Sequence, residues 1–184
     1  MKRESQFKAL AISPVGAVGL TQIMPKTGKD LGMKNIYDPS YFGKAVSLMR
    51  QERRTKGQAE ATLLGITETN KLSQAQRALE LMQKSLRLGK EREKLFAKYK
   101  RELLKKRTDD RLDPSLAIEY GLTYLARQMR AQRGDMSLAL ASYNAGPGAV
   151  RKYKGIPPYE ETVYFRNKVL QYYRDYRRKA QGSP

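Results

Sequence analysis

Between residues 73 and 89, apolar side chains return every three or four positions. Ala75, Leu79, Met82 and Leu86 fall on one stripe of an α-helix. Ser73 and Gln76 stand where a capping box would open that helix, and Gly89 reads as its break. The pattern resumes in "KEREKLFAKYKRELLKKR", where Leu95, Phe96, Tyr99 and Leu103 share a face; a shorter helical piece lies around "KAVSLMRQERR". Amphipathic helices separated by short breaks predict a helical hairpin or small bundle over residues 40–112, most of its apolar stripes packed on the main domain.

The flanking segments are patterned differently. Residues 1–39, which include "ISPVGAVGLTQIMPKTGKDLGMKNIYDP", predict a short helix, a long structured loop and a second short helix. Pro25 suits the first turn of that second helix and Gly32 its end. Residues 113–134 predict a helix with Asp113 as its cap, Pro114 at its first position and Gly134 as its stop. "DMSLALASYNAGPGAVRKY" predicts a helix running into a Gly-Pro-Gly turn, and a terminal helix starts at Glu160 or Thr162. The tail, 179–184, is expected to be disordered. No strand pattern and no internal repeat is visible. The expected fold is therefore mainly α with little or no β: one helical domain from residues 1–39 and 113–178, and an inserted helical subdomain at 40–112.

Composition narrows the chemistry. The 184 residues contain no His, which removes the commonest general base and metal ligand, and no Cys, which removes disulfides, thiolate metal sites and thiol nucleophiles. Lys and Arg number 37 against 18 Asp and Glu, a net charge of +19. Residues 40–112 hold 19 of the basic and 9 of the acidic residues, so about half the excess sits in the inserted segment. A polyanionic partner is expected. Nucleic acid is disfavoured, because only Tyr41, Phe42, Phe96 and Tyr99 are interleaved with those charges. No run of 18 apolar residues predicts a membrane span.

Four motif blocks carry the functional signal. Glu4-Ser5 is followed by Ser13, then "GAVGLTQIMPKTG", then "SYNAGPGAV", then "GIPPYEET". In this order they resemble the catalytic domain of the soluble-type lytic transglycosylases, lysozyme-like enzymes that cleave peptidoglycan. The resemblance covers roughly residues 3–39 and 113–174. It implies a lysozyme-like helical domain, a glycan-strand substrate and no cofactor or metal. It further implies that Glu4 is the single catalytic carboxylate: first an acid to the leaving oxygen, then a base toward the muramic acid 6-hydroxyl, giving a 1,6-anhydro product. By the same resemblance Tyr143 lies near that carboxylate, and Ser13, Gln22, Met24, Asn144 and Glu161 contact or frame the substrate. The residues themselves agree with an acid role: Phe7, Ala9, Leu10 and Ile12 supply apolar neighbours that raise a carboxyl pKa, and no second acid stands in the first three blocks.

Two positions depart from the family pattern. Thr21 stands where Met is usual, and residues 40–112 replace a short connection. In the family a helix precedes the glutamate, whereas only Met1, Lys2 and Arg3 do so here. The sequence is accordingly expected to lack an N-terminal helix and any signal segment. The resemblance places the protein in the cell envelope or periplasm, outside the cell, or on a virion, with residues 40–112 facing anionic envelope components. A lysozyme-type hydrolase on the same fold, or an inactive wall-binding or polyanion-binding module, stands as the alternative.

Overall fold

The computed structural model describes residues 1–181. It is 72% helical, and no strand occurs among the described residues. Eight α-helices follow one another: α1 (Lys2–Ser5), α2 (Pro25–Asp30), α3 (Ser40–Leu64), α4 (Lys71–Lys106), α5 (Pro114–Ala131), α6 (Met136–Ala145), α7 (Pro147–Tyr153) and α8 (Glu160–Gln181). A 3₁₀ turn, Asp110–Leu112, leads into α5. Since α8 runs to Gln181, residues 179–181 are helical rather than disordered, and 182–184 lie outside the described residues.

The chain divides into two compact units. The first comprises Met1–Ala11, Val18–Lys34 and the chain from Asp110 onward; the second comprises Ile12–Ala17 and Asn35–Asp109. The second unit thus begins before residue 40 and takes in six residues of the early loop.

In the first unit the helix ends follow local chemistry. Asp113 and Asp135 accept hydrogen bonds from the backbone N–H groups of Leu116 and Leu138, both at 2.9 Å, and so cap α5 and α6. Pro25, Pro114 and Pro147 each open a helix, where a missing N–H costs nothing. The core gathers Val18, Leu20, Ile23, Ala117, Leu140 and Phe165. Arg111 is fully buried with them and donates from Nη1 to the Ile23 carbonyl at 3.2 Å. The loop 18–23 closes on itself through reciprocal Val18–Ile23 backbone bonds. Within it, Gly19 has φ +81°, and a Cβ there would meet the Arg111 carbonyl oxygen at 1.9 Å. Both facts exclude a side chain at that position.

The second unit is a hairpin of α3 and α4 joined by a short loop. Its pairs run antiparallel: Phe42 meets Phe96 and Tyr99 at ring distances of 5.8 and 4.8 Å, and further out Glu52 pairs with Arg92. The buried positions of α4 are Ala78, Ser85, Gly89, Phe96, Tyr99 and Leu103, a coiled-coil-like spacing of sevens, threes and fours. On α3 they are Phe42, Ala45, Leu48, Thr55 and Ala59. At the base, Tyr37 donates to Glu102 at 2.5 Å, Tyr41 donates to the same oxygen, and Tyr37 stacks on Tyr99.

Three expectations for this region are corrected. Gly89 does not break α4, which continues through it. It is glycine because a Cβ would lie 2.8 Å from the Glu52 carboxylate, which fills that space and bonds Arg92 at 2.6 Å. No capping box forms: the helix begins at Lys71, and Ser73 donates to the Asn70 carbonyl instead. The stripe of Ala75, Leu79, Met82 and Leu86 is not a packed face, for Leu79 and Leu86 are 59% and 60% exposed. Helices that approach closely do so over small residues, and those lie one step round the helix.

Candidate active site

Glu4 sits in α1, a helix too short to hold itself and therefore dependent on its anchors. Ser5 donates from Oγ to the Leu20 carbonyl at 2.9 Å, Lys2 lies 4.5 Å from the ring centre of Tyr172, and Arg3 lies 5.0 Å from that of Tyr164. These contacts fasten α1 to the 18–23 loop and to α8. The chain then turns sharply: Gln6 and Phe7, neither of them glycine, take φ of 53° and 62°. Such left-handed residues cost on the order of 1 kcal/mol or more each and persist only where neighbours enforce them.

The Glu4 side chain borders a cavity of about 320 Å³ whose wall includes Phe7, Thr21, Ile118, Leu140, Tyr143 and Phe165. The wall is mostly hydrocarbon and aromatic, so the charged carboxylate is poorly solvated there. Burial pushes the Glu4 pKa up to about 7; the positive charges of the chain's amino group and Arg3 pull against this, and the negative charge of Glu161 adds to it. No ion pair or hydrogen bond to the Glu4 carboxyl occurs among the described residues. The carboxyl therefore changes protonation near neutrality, where a group that must both give and take a proton works best.

Tyr143 faces the same cavity from α6. Its hydroxyl donates to the Thr21 carbonyl at 2.9 Å, and its ring packs on Tyr124 at 5.0 Å and parallel to Phe165 at 6.4 Å. Burial, and secondarily the charge of Glu4, raises the pKa of its hydroxyl, so it stays a neutral donor. Thr21 in turn donates from Oγ1 to the Ala117 carbonyl at 2.7 Å. The side chain of Thr21 presses on Gly121 of α5, where any Cβ would fall 2.5 Å from its methyl. The 18–23 loop, α5 and α6 are thus locked together at one threonine.

The remaining residues singled out from the sequence have identifiable places. Glu161 is exposed in the first turn of α8, close enough for its charge to act on Glu4. Asn144 accepts at Oδ1 from Thr162 at 2.8 Å, tying α6 to α8. Gln22, with φ 53°, donates its side-chain amide to the Gly19 and Ala11 carbonyls at 2.8 and 3.2 Å and so braces the loop. Met24 is half-buried at the start of α2 and, like Gln22, does not line the cavity beside Glu4. Ser13 belongs to the second unit, where its oxygen accepts from the N–H groups of Ala17 and Val15 at 2.9 and 3.3 Å. The structure therefore brings Glu4, Tyr143 and the charge of Glu161 together and engages Ser13, Gln22 and Asn144 in local bracing. Sequence reasoning noted Thr21 only as a departure and Gly121 only as the start of the family-like "GLTYL" stretch, with no contact between them. A glycine in the middle of an otherwise regular amphipathic helix was the available signal.

A mainly helical chain of this kind is consistent with the helical lysozyme-like fold. The chain belongs to the transglycosylase SLT domain family, whose sequence profile matches residues 1–63 and 73–163. The match takes in both helices of the hairpin and leaves out residues 64–72 at its tip. The chain is also similar to a protein named Transglycosylase from Enterobacteria phage PRD1, 40% identical over 67 residues, which is 35% of this chain and 24% of that protein. The aligned stretch thus spans about a quarter of the relative's length. No solved structure matches the chain significantly.

Proposed function

We propose that this protein is a peptidoglycan lytic transglycosylase that cleaves the β-1,4 bond between MurNAc and GlcNAc. The observation that supports this reading most is the placement of Glu4: a carboxyl titrating at about 7 in an apolar cavity shared with Tyr143, within a chain of the SLT family.

In this reading protonated Glu4 gives its proton to the bridging oxygen as the bond from the muramic acid C1 to that oxygen breaks. The GlcNAc hydroxyl leaves. The resulting carboxylate takes the proton from the muramic acid 6-hydroxyl, whose oxygen bonds to C1. The product is a 1,6-anhydro sugar, Glu4 regains its proton, and no water is consumed. Tyr143, kept neutral by its burial and anchored on the Thr21 carbonyl, shapes the recess around the carboxyl. Gln22, Met24, Asn144 and Glu161 frame or contact the glycan strand in this reading. Such a substrate places the protein in the envelope, outside the cell or on a virion. No described helix is long and apolar enough to cross a membrane.

The test is mass spectrometry of purified peptidoglycan after digestion. Anhydro-muropeptides are expected. Products bearing an added water and no anhydro species would establish the lysozyme-type hydrolase instead. Binding to peptidoglycan without any product would leave a wall-binding module.

A further inference from the structure

The cavity beside Glu4 has a neighbour that the chemistry of Glu4 does not use. Lys2, Tyr172 and Tyr176 border both that cavity and a second recess of about 380 Å³, whose wall adds Asp175, Arg178 and Lys179. Both lie in the first unit. The first is walled mostly by hydrocarbon and rings, whereas the second is basic. Between residues 166 and 179, α8 carries six Lys and Arg against one acid, Asp175, and that acid is already engaged by Arg178 at 3.1 Å. Lys2 brings a further positive charge, 4.5 Å from the ring centre of Tyr172, and the Arg177 guanidinium lies 5.9 Å from that of Tyr173. A cation over an aromatic ring is oriented but not neutralised, so its charge stays available to an anion.

The shape and charge of the recess narrow its occupant. A bare sugar ring is neutral and has no use for the charge. A flat bilayer cannot enter a recess. The muramic acid units of peptidoglycan, however, carry short peptides with free carboxylates. Lys2 and Glu4 share the single turn of α1, so a strand seated at Glu4 brings such a peptide to Lys2. From Tyr172 to Lys179 the helix rises about 10 Å. That length holds about three residues of extended peptide, at about 3.3–3.6 Å each.

We infer that the recess between α1 and the end of α8 is a subsite for the acidic peptide stem of peptidoglycan, which makes the enzyme select peptide-bearing strands over bare glycan. The inference rests on the proposed substrate and adds a specificity to it.

The full chain should show a lower KM for intact strands than for strands stripped of their peptides by an amidase. In Arg178→Glu/Lys179→Glu, whose side chains are exposed, that preference should fall about tenfold, in KM rather than kcat, with an unchanged helical spectrum. Arg178→Lys/Lys179→Arg, which keeps both charges, should retain it. A second readout needs no turnover: the free stem tetrapeptide should shift the ring resonances of Tyr172 and Tyr176 in the parent and not in the reversed variant. Peptide-induced shifts without turnover of any strand would sustain the subsite and sink the enzyme reading. Turnover with equal KM for the two substrates, or an unchanged preference in the reversed variant, would overturn the subsite and leave the enzyme. Tighter binding of a single-stranded oligonucleotide than of the tetrapeptide would assign the recess to nucleic acid and overturn it as well.

Discussion

Each unit of the molecule contains an enclosed glutamate, and the two are treated in opposite ways. In the second unit Glu52 sits in the seam of the hairpin, bonded to Arg92 at 2.6 Å with Gly89 cleared to make room. In the first, Glu4 is surrounded by hydrocarbon and aromatic rings, and its pKa rises to about 7. A paired charge can serve packing. A charge denied a partner serves no structural end, and the strained turn and borrowed anchors around Glu4 are what keep it there. The contrast teaches that enclosure alone does not carry a carboxyl into the neutral range; enclosure among apolar groups without a hydrogen-bonded partner does.

The largest effect should come from removing the proton of Glu4. Glu4→Gln keeps the shape and should lower glycan turnover by about 10²–10⁴-fold, as assayed by muropeptide release. The parent's turnover should fall as pH rises above about 7, where the acid form is lost. Stability should move as well. The folded pKa lies above the ordinary 4.5, so the folded state holds this proton more tightly. The stability it contributes is fully present below 4.5 and is lost as pH rises through about 7. Glu4→Gln, which never ionises, should therefore gain up to about 3 kcal/mol on the parent between pH 5 and pH 8 in denaturant titrations. A variant that loses activity without this pH-dependent gain would mean that Glu4 is more solvated than its cavity implies.

Next in size is the lock beneath the site. Gly121→Ala forces a methyl into Thr21 and should cost about 1–3 kcal/mol, with turnover falling alongside. Adding Thr21→Ser removes one of the three atoms in conflict and leaves Cβ at 2.6 Å, so it should restore only a small part of both. Full rescue would mean that the methyl alone carries the strain.

The hairpin's pair should respond differently. Glu52→Ala leaves Arg92 in the seam with only the longer 3.4 Å pair to Glu93, at a cost of about 1–2 kcal/mol because water still reaches part of the site. Glu52→Leu/Arg92→Met should cost less than the single change, and glycan turnover should match the parent in both. Loss of turnover with the hairpin still folded would end the division of labour between the units. The smallest effect is expected from Tyr143→Phe, which loses one hydrogen bond to Thr21, about 1 kcal/mol, in a melting curve.

Much of the first unit was legible in the sequence because its signals are local. Asp113 caps what an Asp-Pro start promises, Pro25 opens α2, and the ordered motifs point to Glu4 and Tyr143. The Thr21–Gly121 contact was not, since it joins two small residues a hundred positions apart, and smallness carries no periodic signature. The hairpin misled for a related reason. Hydrophobicity draws attention to Leu79 and Leu86, but close helix approach favours Ala78, Ser85 and Gly89, which score poorly on any apolar scale. Gly89 looked like a break because the side chain that fills its space belongs to the other helix.

The graded seam of the hairpin has a consequence for its motions. Rings of Phe42, Phe96 and Tyr99 close the base, while the outermost buried positions toward the loop are Ala59 and Ala78. Small residues bury little surface, so the hairpin is a zipper expected to fray from its free end. Backbone amides of α4 should exchange with heavy water progressively faster from Leu103 toward Lys71.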